Sequence, residues 1–278
     1  MANVIISDTH LLNIAEAIRY KNGTSKTYKP KEMAAAIQAL EGIDVDPLDF
    51  DDYISRNLSG IVEIACTRVG PYGLAGASEV TKFILHTNAN GAYAFKGCAK
   101  LQELVITRST GLGQHCADGC TTLATVSAPE CSSIGNYAFW NCNALTSITL
   151  GNLKRVGTGA FEGCNRLTKI DLGDVTVYDS EYPTSLILGG SAFYSDSLEA
   201  IIIRGNRVPL VNEQVYPFPD RFNKDYSGDG LKGYIYVPAA MISEYENYEG
   251  DPYAASPKYD RFSMLSYRAI EDYPEICG

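Results

Sequence analysis

This sequence predicts a fold of stacked coils, each holding one short parallel strand and one return segment, and three observations carry the prediction. A 22-residue unit recurs as AFKGCAKLQELVI from Ala94, CADGCTTLATVSA from Cys116, AFWNCNALTSITL from Ala138 and AFEGCNRLTKIDL from Ala160. Several columns match at once: Phe95, Phe139 and Phe161, with Ala117 in the second unit; Leu101, Leu123, Leu145 and Leu167; and Leu104, Val126, Ile148 and Ile170. One cysteine stands in each unit, at Cys98, Cys120, Cys142 and Cys164. A period of about 20–29 residues with this L-x-x-I-x-L strand pattern defines an α/β repeat fold, a leucine-rich-repeat solenoid.

Taken in order, residues 1–43 read as a helical hairpin. Ser7 or Asp8 serves as N-cap, Leu11, Leu12, Ile14, Ala15 and Ile18 make an apolar stripe, and Asn22-Gly23 stops the helix. A second start follows at Pro30, with Gly42 as its C-cap. Two such short helices bury little alone and call for a partner, so attachment or oligomerisation is their expected role. Residues 44–57, rich in Asp, form an acidic linker.

The repeat region spans residues 58–205. GLAGASEVTKFIL, from Gly73, is a degraded first coil, and SAFYSDSLEAIII, from Ser191, is a late one displaced by an insertion through TVYDSEYPTSLI. The strand part alternates inward and outward, while A-F-x-x-C returns as a turn or short helix. Residues 206–278 form a Tyr-rich C-terminal cap, with GYIYVP as a final strand ended by Pro238 and AAMISEYEN as a short helix. Ten of the 19 tyrosines lie from Tyr216 onward. They serve either cap packing or a tyrosine-rich contact surface.

Stacking explains the cysteines. Equivalent residues of successive coils lie at about the 4.8 Å inter-strand spacing, so four sulfurs form a line. A line cannot place sulfurs around one tetrahedral zinc, and parallel side chains hold Cβ atoms too far apart for a good disulfide. The ladder is therefore expected to be buried free thiols acting as small hydrophobes. On this view a serine at Cys142 would bury an unsatisfied hydroxyl and cost roughly 1–3 kcal/mol. His115, Cys116 and Cys120 are not assigned as a metal site, since Cys120 belongs to the ladder. NKDYSGDG, from Asn223, falls short of a calcium loop because Tyr234 stands where the closing carboxylate belongs.

The net charge of −10 disfavours nucleic acid, and no apolar run approaches the roughly 18 residues of a membrane span. None of His10, His86 and His115 stands in a recognisable catalytic setting, and no nucleophile elbow, phosphate loop or HExxH is present, so no enzyme activity, cofactor or metal is expected. The position after the Phe column reads Lys96, Asp118, Trp140 and Glu162, which predicts a solvent-facing site holding the only tryptophan. Trp140 is suited to stacking on a sugar ring or anchoring a protein contact, or to packing against a neighbouring subunit or the N-terminal hairpin. Glu103, Thr125, Ser147, Thr149, Lys169 and Asp171, outward on the strands, form the other candidate face.

The coils SSIGNYAFWNCNALTSITL and KRVGTGAFEGCNRLTKIDL resemble the BspA-like leucine-rich-repeat family, whose members are cell-surface and adhesive modules. HLLNIAEAIRYKNGTSKTYKPKEMAAAIQAL resembles the helical N-terminal segment of phage and prophage tail-associated proteins, and GYIYVPAAMISEYEN the ending of phage-type repeat proteins. The N-terminus has no basic region or apolar core of an export signal. Together these resemblances imply a non-enzymatic phage tail or tail-tip protein, made in the host cytoplasm and carried on the virion. Its hairpin would contact other tail proteins, and its repeat surface would bind a host glycan or protein. Homo-oligomerisation is expected as well. The alternative is a secreted bacterial surface adhesin whose export signal is missing.

Overall fold

The computed structural model describes residues 58–65, 68–174, 186–211, 216–228, 231–248 and 262–278. The predicted hairpin of residues 1–43, the linker of 44–57, Cys66 and most of the insertion lie outside these residues.

Each coil contributes a strand of three to eight residues, and the first sheet is β1 (Ser59–Ala65), β2 (Glu79–His86), β3 (Glu103–Ile106), β5 (Thr125–Ala128) and β7 (Ser147–Leu150), all parallel and in that order. The register follows the repeat: Lys82, Glu103, Thr125 and Ser147 align, and so do Phe83, Leu104, Val126 and Ile148. Alternation decides the faces. Phe83, Leu85, Leu104, Ile106, Val126 and Ala128 are buried, while their neighbours point outward.

A second parallel sheet runs along the other side of the stack. It consists of two-residue strands β4 (Gly111–Leu112), β6 (Ser133–Ile134), β8 (Arg155–Val156), β10 (Ile187–Leu188) and β12 (Leu210–Val211). Just past β4, β6, β8 and β10, the glycines Gly113, Gly135, Gly157 and Gly189 are pressed on the coil before. A Cβ at Gly135, for example, would stand 2.5 Å from the Gln114 nitrogen and 2.6 Å from the Gly113 carbonyl carbon. No side chain fits that approach.

The strand face does not run unbroken. Past β7 the strands regroup into a third sheet, β9 (Lys169–Asp171), β11 (Ala200–Ile202), β13 (Tyr234–Val237) and β14 (Tyr267–Ala269), and no strand pairing joins β7 to β9 among the described residues. The second sheet spans the same coils without a gap. The core is also continuous there. Phe139, Phe161, Phe193 and Phe218 stack ring on ring at 5.4, 6.0 and 5.7 Å. Burying one such ring contributes about 1.5–3 kcal/mol, so this column is a main source of coil-to-coil adhesion.

The return segments are turns rather than helices. Ala94, Cys116, Ala138, Ala160 and Ala192 form one buried column of these turns, and Leu101, Leu123, Leu145, Leu167 and Leu198 another. The strand pairing continues beyond residue 205, because β13 adds to β11 and Phe218 extends the phenylalanine stack. GYIYVP is therefore not the last strand: β14 lies outside it. Helix α1 (Ile242–Glu246) then packs Tyr245 against Phe262 and Tyr267, and the Tyr245 hydroxyl donates to the Arg207 carbonyl at 3.1 Å. Helix α2 (Pro274–Cys277) ends the chain.

Candidate recognition surface

The ladder cysteines sit in the core. Cys98, Cys120, Cys142 and Cys164 are fully buried and free. Each thiol donates to a carbonyl of the preceding coil: Cys98 to Leu74, Cys120 to Phe95, Cys142 to Ala117 and Cys164 to Phe139, at 3.1–3.2 Å. In the next coil the Ser195 hydroxyl also reaches back one coil, but to the carbonyl of Cys164 itself, at 2.8 Å. Burial pushes the Cys98 and Cys164 thiols up to about 12, and those of Cys120 and Cys142 well above the ordinary 9.0. At zero exposure these thiols face the core and not the solvent.

Two strips of the surface hold the other predicted residues, and they do not form one site. Glu103, Thr125, Ser147, Thr149, Lys169 and Asp171 lie on the outward strand face, whereas Trp140 lies on the edge formed by the turns. Thr125, Ser147 and Thr149 are exposed hydroxyl residues. Glu103 is paired with Lys82 at 2.7 Å. Beside them, on β1 to β3, His86 bridges Glu63 at 2.9 Å and Thr107 at 3.0 Å.

Lys169 and Asp171 are occupied by the chain itself. Lys169 donates to the Ile276 carbonyl at 2.7 Å, and Arg204 bonds Asp171 at 2.8 Å while also donating to the Cys277 carbonyl. Helix α2 thereby covers Ala200, Ile202 and Tyr236, and buries Cys277 with them. Arg268 lies 3.5 Å over the Tyr234 ring and 4.8 Å from that of Tyr273. The outward face is thus open along β3 to β7 and closed by the C-terminal segment along β9 to β13.

The turn edge carries a feature that the column reading missed. Tyr72, Tyr93, His115 and Tyr137 occupy one position in four successive coils, and their rings stack at 4.7, 4.8 and 5.1 Å with interplanar angles of 4°, 5° and 21°. Trp140 meets the last ring edge-on, at 6.4 Å and 76°. All four residues have positive φ, from 52° to 60°. The equivalent position in the next coil is Gly159, with φ 58°, and a Cβ there would collide with the Tyr137 ring. Trp140 itself is 37 % exposed, Tyr72 48 % and Tyr194 51 %.

The position after the Phe column does not face solvent uniformly, as its charged residues suggested. Asp118 is only 8 % exposed. It accepts from His115 Nδ1 at 3.0 Å and lies 3.6 Å from Lys96 Nζ, which in turn sits 5.0 Å over the Tyr93 ring. A carboxylate so placed is held by the ladder rather than offered outward. Planar rings at the phase of Tyr93, His115 and Tyr137, two residues before the Phe column, were the signal available in the sequence.

An open groove of about 570 Å³ lies next to the strand face, lined by Gln102, Thr122, Thr146 and Arg166 among others. Among the described residues, no group of three His, Cys, Asp or Glu side chains could hold a metal ion, and no helix is long and apolar enough to cross a membrane.

A stack of parallel coils with exposed strips and a thiol-lined core defines the class, a leucine-rich-repeat protein region. Residues 88–208 match the family model of the BspA type leucine rich repeat region in 6 copies, so this region carries repeats of that type. Among solved structures, the chain is similar to a leucine rich cell surface protein from Faecalibacterium prausnitzii A2-165, with 19 % identity and a TM-score of 0.30. That match covers 54 % of this chain and 55 % of the other, about half the length of each. No curated protein matches the chain.

Proposed function

We propose that this chain is a non-enzymatic recognition module that displays its repeat stack at a bacterial cell surface for adhesion. The observation that supports this reading most is the turn edge, where four rings and Trp140 are arrayed in register along the BspA-type coils. An ordered row of rings, exposed at Tyr72 and Trp140 and half-buried at Tyr93, His115 and Tyr137, offers contact area at low entropic cost, as a binding surface requires. The hydroxyl row of Thr125, Ser147 and Thr149 provides a second, polar contact strip. A virion is the competing carrier, favoured by the phage-tail resemblance of residues 1–43.

The test is twofold. Beads coated with the full chain should adhere to bacterial or host cells, and failure to adhere to any cell type removes the recognition role. Immunogold labelling of intact bacteria and of purified phage particles then decides the carrier. Label on the cell envelope supports the surface reading, whereas label confined to particle tails overturns it in favour of the virion.

A further inference from the structure

The aromatic ladder on the turn edge is built at a cost that the fold alone does not require. The left-handed backbone region is unfavourable for residues with a Cβ, by about 1–2 kcal/mol each, and glycine is the residue that occupies it freely. Gly159 does so in this very column. Every coil of this column has the left-handed backbone, Ser191 of the late coil included, yet four coils in succession fill it with the planar side chains of Tyr72, Tyr93, His115 and Tyr137. Stacking returns part of the cost, about 0.5–1.5 kcal/mol per pair. What the stack adds beyond that is a rigid row of ring edges at a constant spacing.

The chemistry of that row is specific. Among the described residues no hydrogen bond engages the hydroxyls of Tyr72, Tyr93 and Tyr137, and His115 uses Nδ1 for Asp118, which leaves Nε2 free to bond outward. The row is therefore a comb of rings bearing hydrogen-bonding groups, their centroids about 5 Å apart. Inner ring faces cover one another. Trp140, edge-on to Tyr137, does not join the face-to-face stack and keeps its own face for a flat apolar partner. Local charges cancel internally, since Asp118 takes up His115 and Lys96. A net charge of −10 repels sulfated or uronic-acid polymers.

From these relations we infer that the turn edge binds a neutral glycan chain, its sugar hydroxyls bonding along Tyr72, Tyr93, His115 and Tyr137 and one sugar ring lying on Trp140. This assignment rests on the recognition role proposed above and names its ligand class. A linear sugar polymer matches the row because both repeat hydrogen-bonding groups along one direction, and Trp140 at the end of the row offers a face for a sugar ring. A protein partner would call for a broader apolar patch than a strip one residue wide.

The full chain is tested on an array of neutral hexose and N-acetylhexosamine oligosaccharides, beside Tyr93→Phe and Trp140→Ala. Tyr93→Phe keeps the stacked ring and removes only its hydroxyl, so a folding defect does not confuse the result. Binding to at least one neutral oligosaccharide is expected, about five- to tenfold weaker for Tyr93→Phe, the size of one hydrogen bond, and at least as much weaker for Trp140→Ala. Because Trp140 is the only tryptophan, its emission should shift in a saturable way with the bound oligosaccharide. Raised salt should leave the affinity unchanged. No binding on the array, or wild-type affinity in both variants, overturns the assignment. Cells are then treated before the bead assay: loss of adhesion after periodate supports a glycan, while loss only after proteinase keeps the recognition role and overturns the glycan.

Discussion

Ser195 donates its hydroxyl to the Cys164 carbonyl at 2.8 Å, whereas Cys164, like the ladder cysteines before it, donates to a phenylalanine-column carbonyl of the preceding coil, that of Phe139 at 3.2 Å. The cysteine column thus has a polar role as well as an apolar one. In the late coil, where Phe193 and Leu198 stand one residue closer than Phe161 and Leu167, a hydroxyl reaches back to a different carbonyl.

A serine at Cys142 would have an acceptor in reach, since the thiol it replaces donates to the Ala117 carbonyl at 3.2 Å. Cys142→Ser should cost no more than about 1 kcal/mol, because its hydroxyl can donate to the Ala117 carbonyl as the thiol does. Cys142→Ala removes the donor and leaves a void, and should cost about 1–3 kcal/mol. Urea denaturation of the two variants checks the order, and an alanine variant as stable as the serine one contradicts it.

Alkaline pH should weaken the fold. Burial pushes the thiols of Cys98, Cys116 and Cys164 up to about 12, whereas an unfolded chain releases those protons near 9.0. The folded state holds more protons in that window, so its stability is complete below about pH 9 and falls as pH rises toward 12. The slope is roughly 1.4 kcal/mol per pH unit for each thiol. Denaturation midpoints measured across the alkaline range test this, and in neutral buffer the buried thiols should resist alkylation until the protein unfolds.

Gly135→Ala should be among the most damaging single-methyl changes. The added carbon would meet Gly113 and Gln114 backbone, which belongs to the neighbouring coil and has no side chain to swing aside. A cost of about 1–3 kcal/mol is expected, read as a lowered melting temperature. By contrast, Gly119→Ala meets nothing within 4 Å and is penalised only for its φ of 70°, roughly 1 kcal/mol.

Arg204→Ala should loosen the C-terminal segment. Arg204 holds both Asp171 and the Cys277 carbonyl, and it is about one-third exposed, so the global loss should be no more than about 1 kcal/mol. The local effect is larger in kind: amides of residues 274–278 should exchange faster, and alkylation of Cys277 should accelerate while Cys142 stays protected. Unchanged exchange in that segment would show that Lys169 alone holds it.

Much of the coil interior was legible in the sequence because burial repeats. Phe95, Leu101 and Leu104 recur every 22 residues since each must fill the same gap between coils, and such columns survive inspection without coordinates. Trp140 was recognisable as an outlier in its column. Tyr93, His115 and Tyr137 also share a phase, but their meaning depends on ring planes and on a positive φ that residue type does not announce. The docking of Ile276 on Lys169 was illegible for another reason. It joins positions 107 residues apart, outside any period. The break between β7 and β9 is equally invisible, because Ser147 and Lys169 keep the same spacing as Glu103 and Thr125 or Thr125 and Ser147, which do pair.

That break changes how the molecule should answer to pulling. Where the long strands stop pairing, the two halves remain tied by the two-residue strands, by the phenylalanine pile and by turn amides of Tyr137, Phe139 and Asn141 donating to Thr158, Ala160 and Glu162, in the manner of a door hung on one side. A load applied between the ends would meet the weakest strand contact at the seam beside Ile148 and Leu150, which are already only partly covered. A stack built this way should give first at that seam.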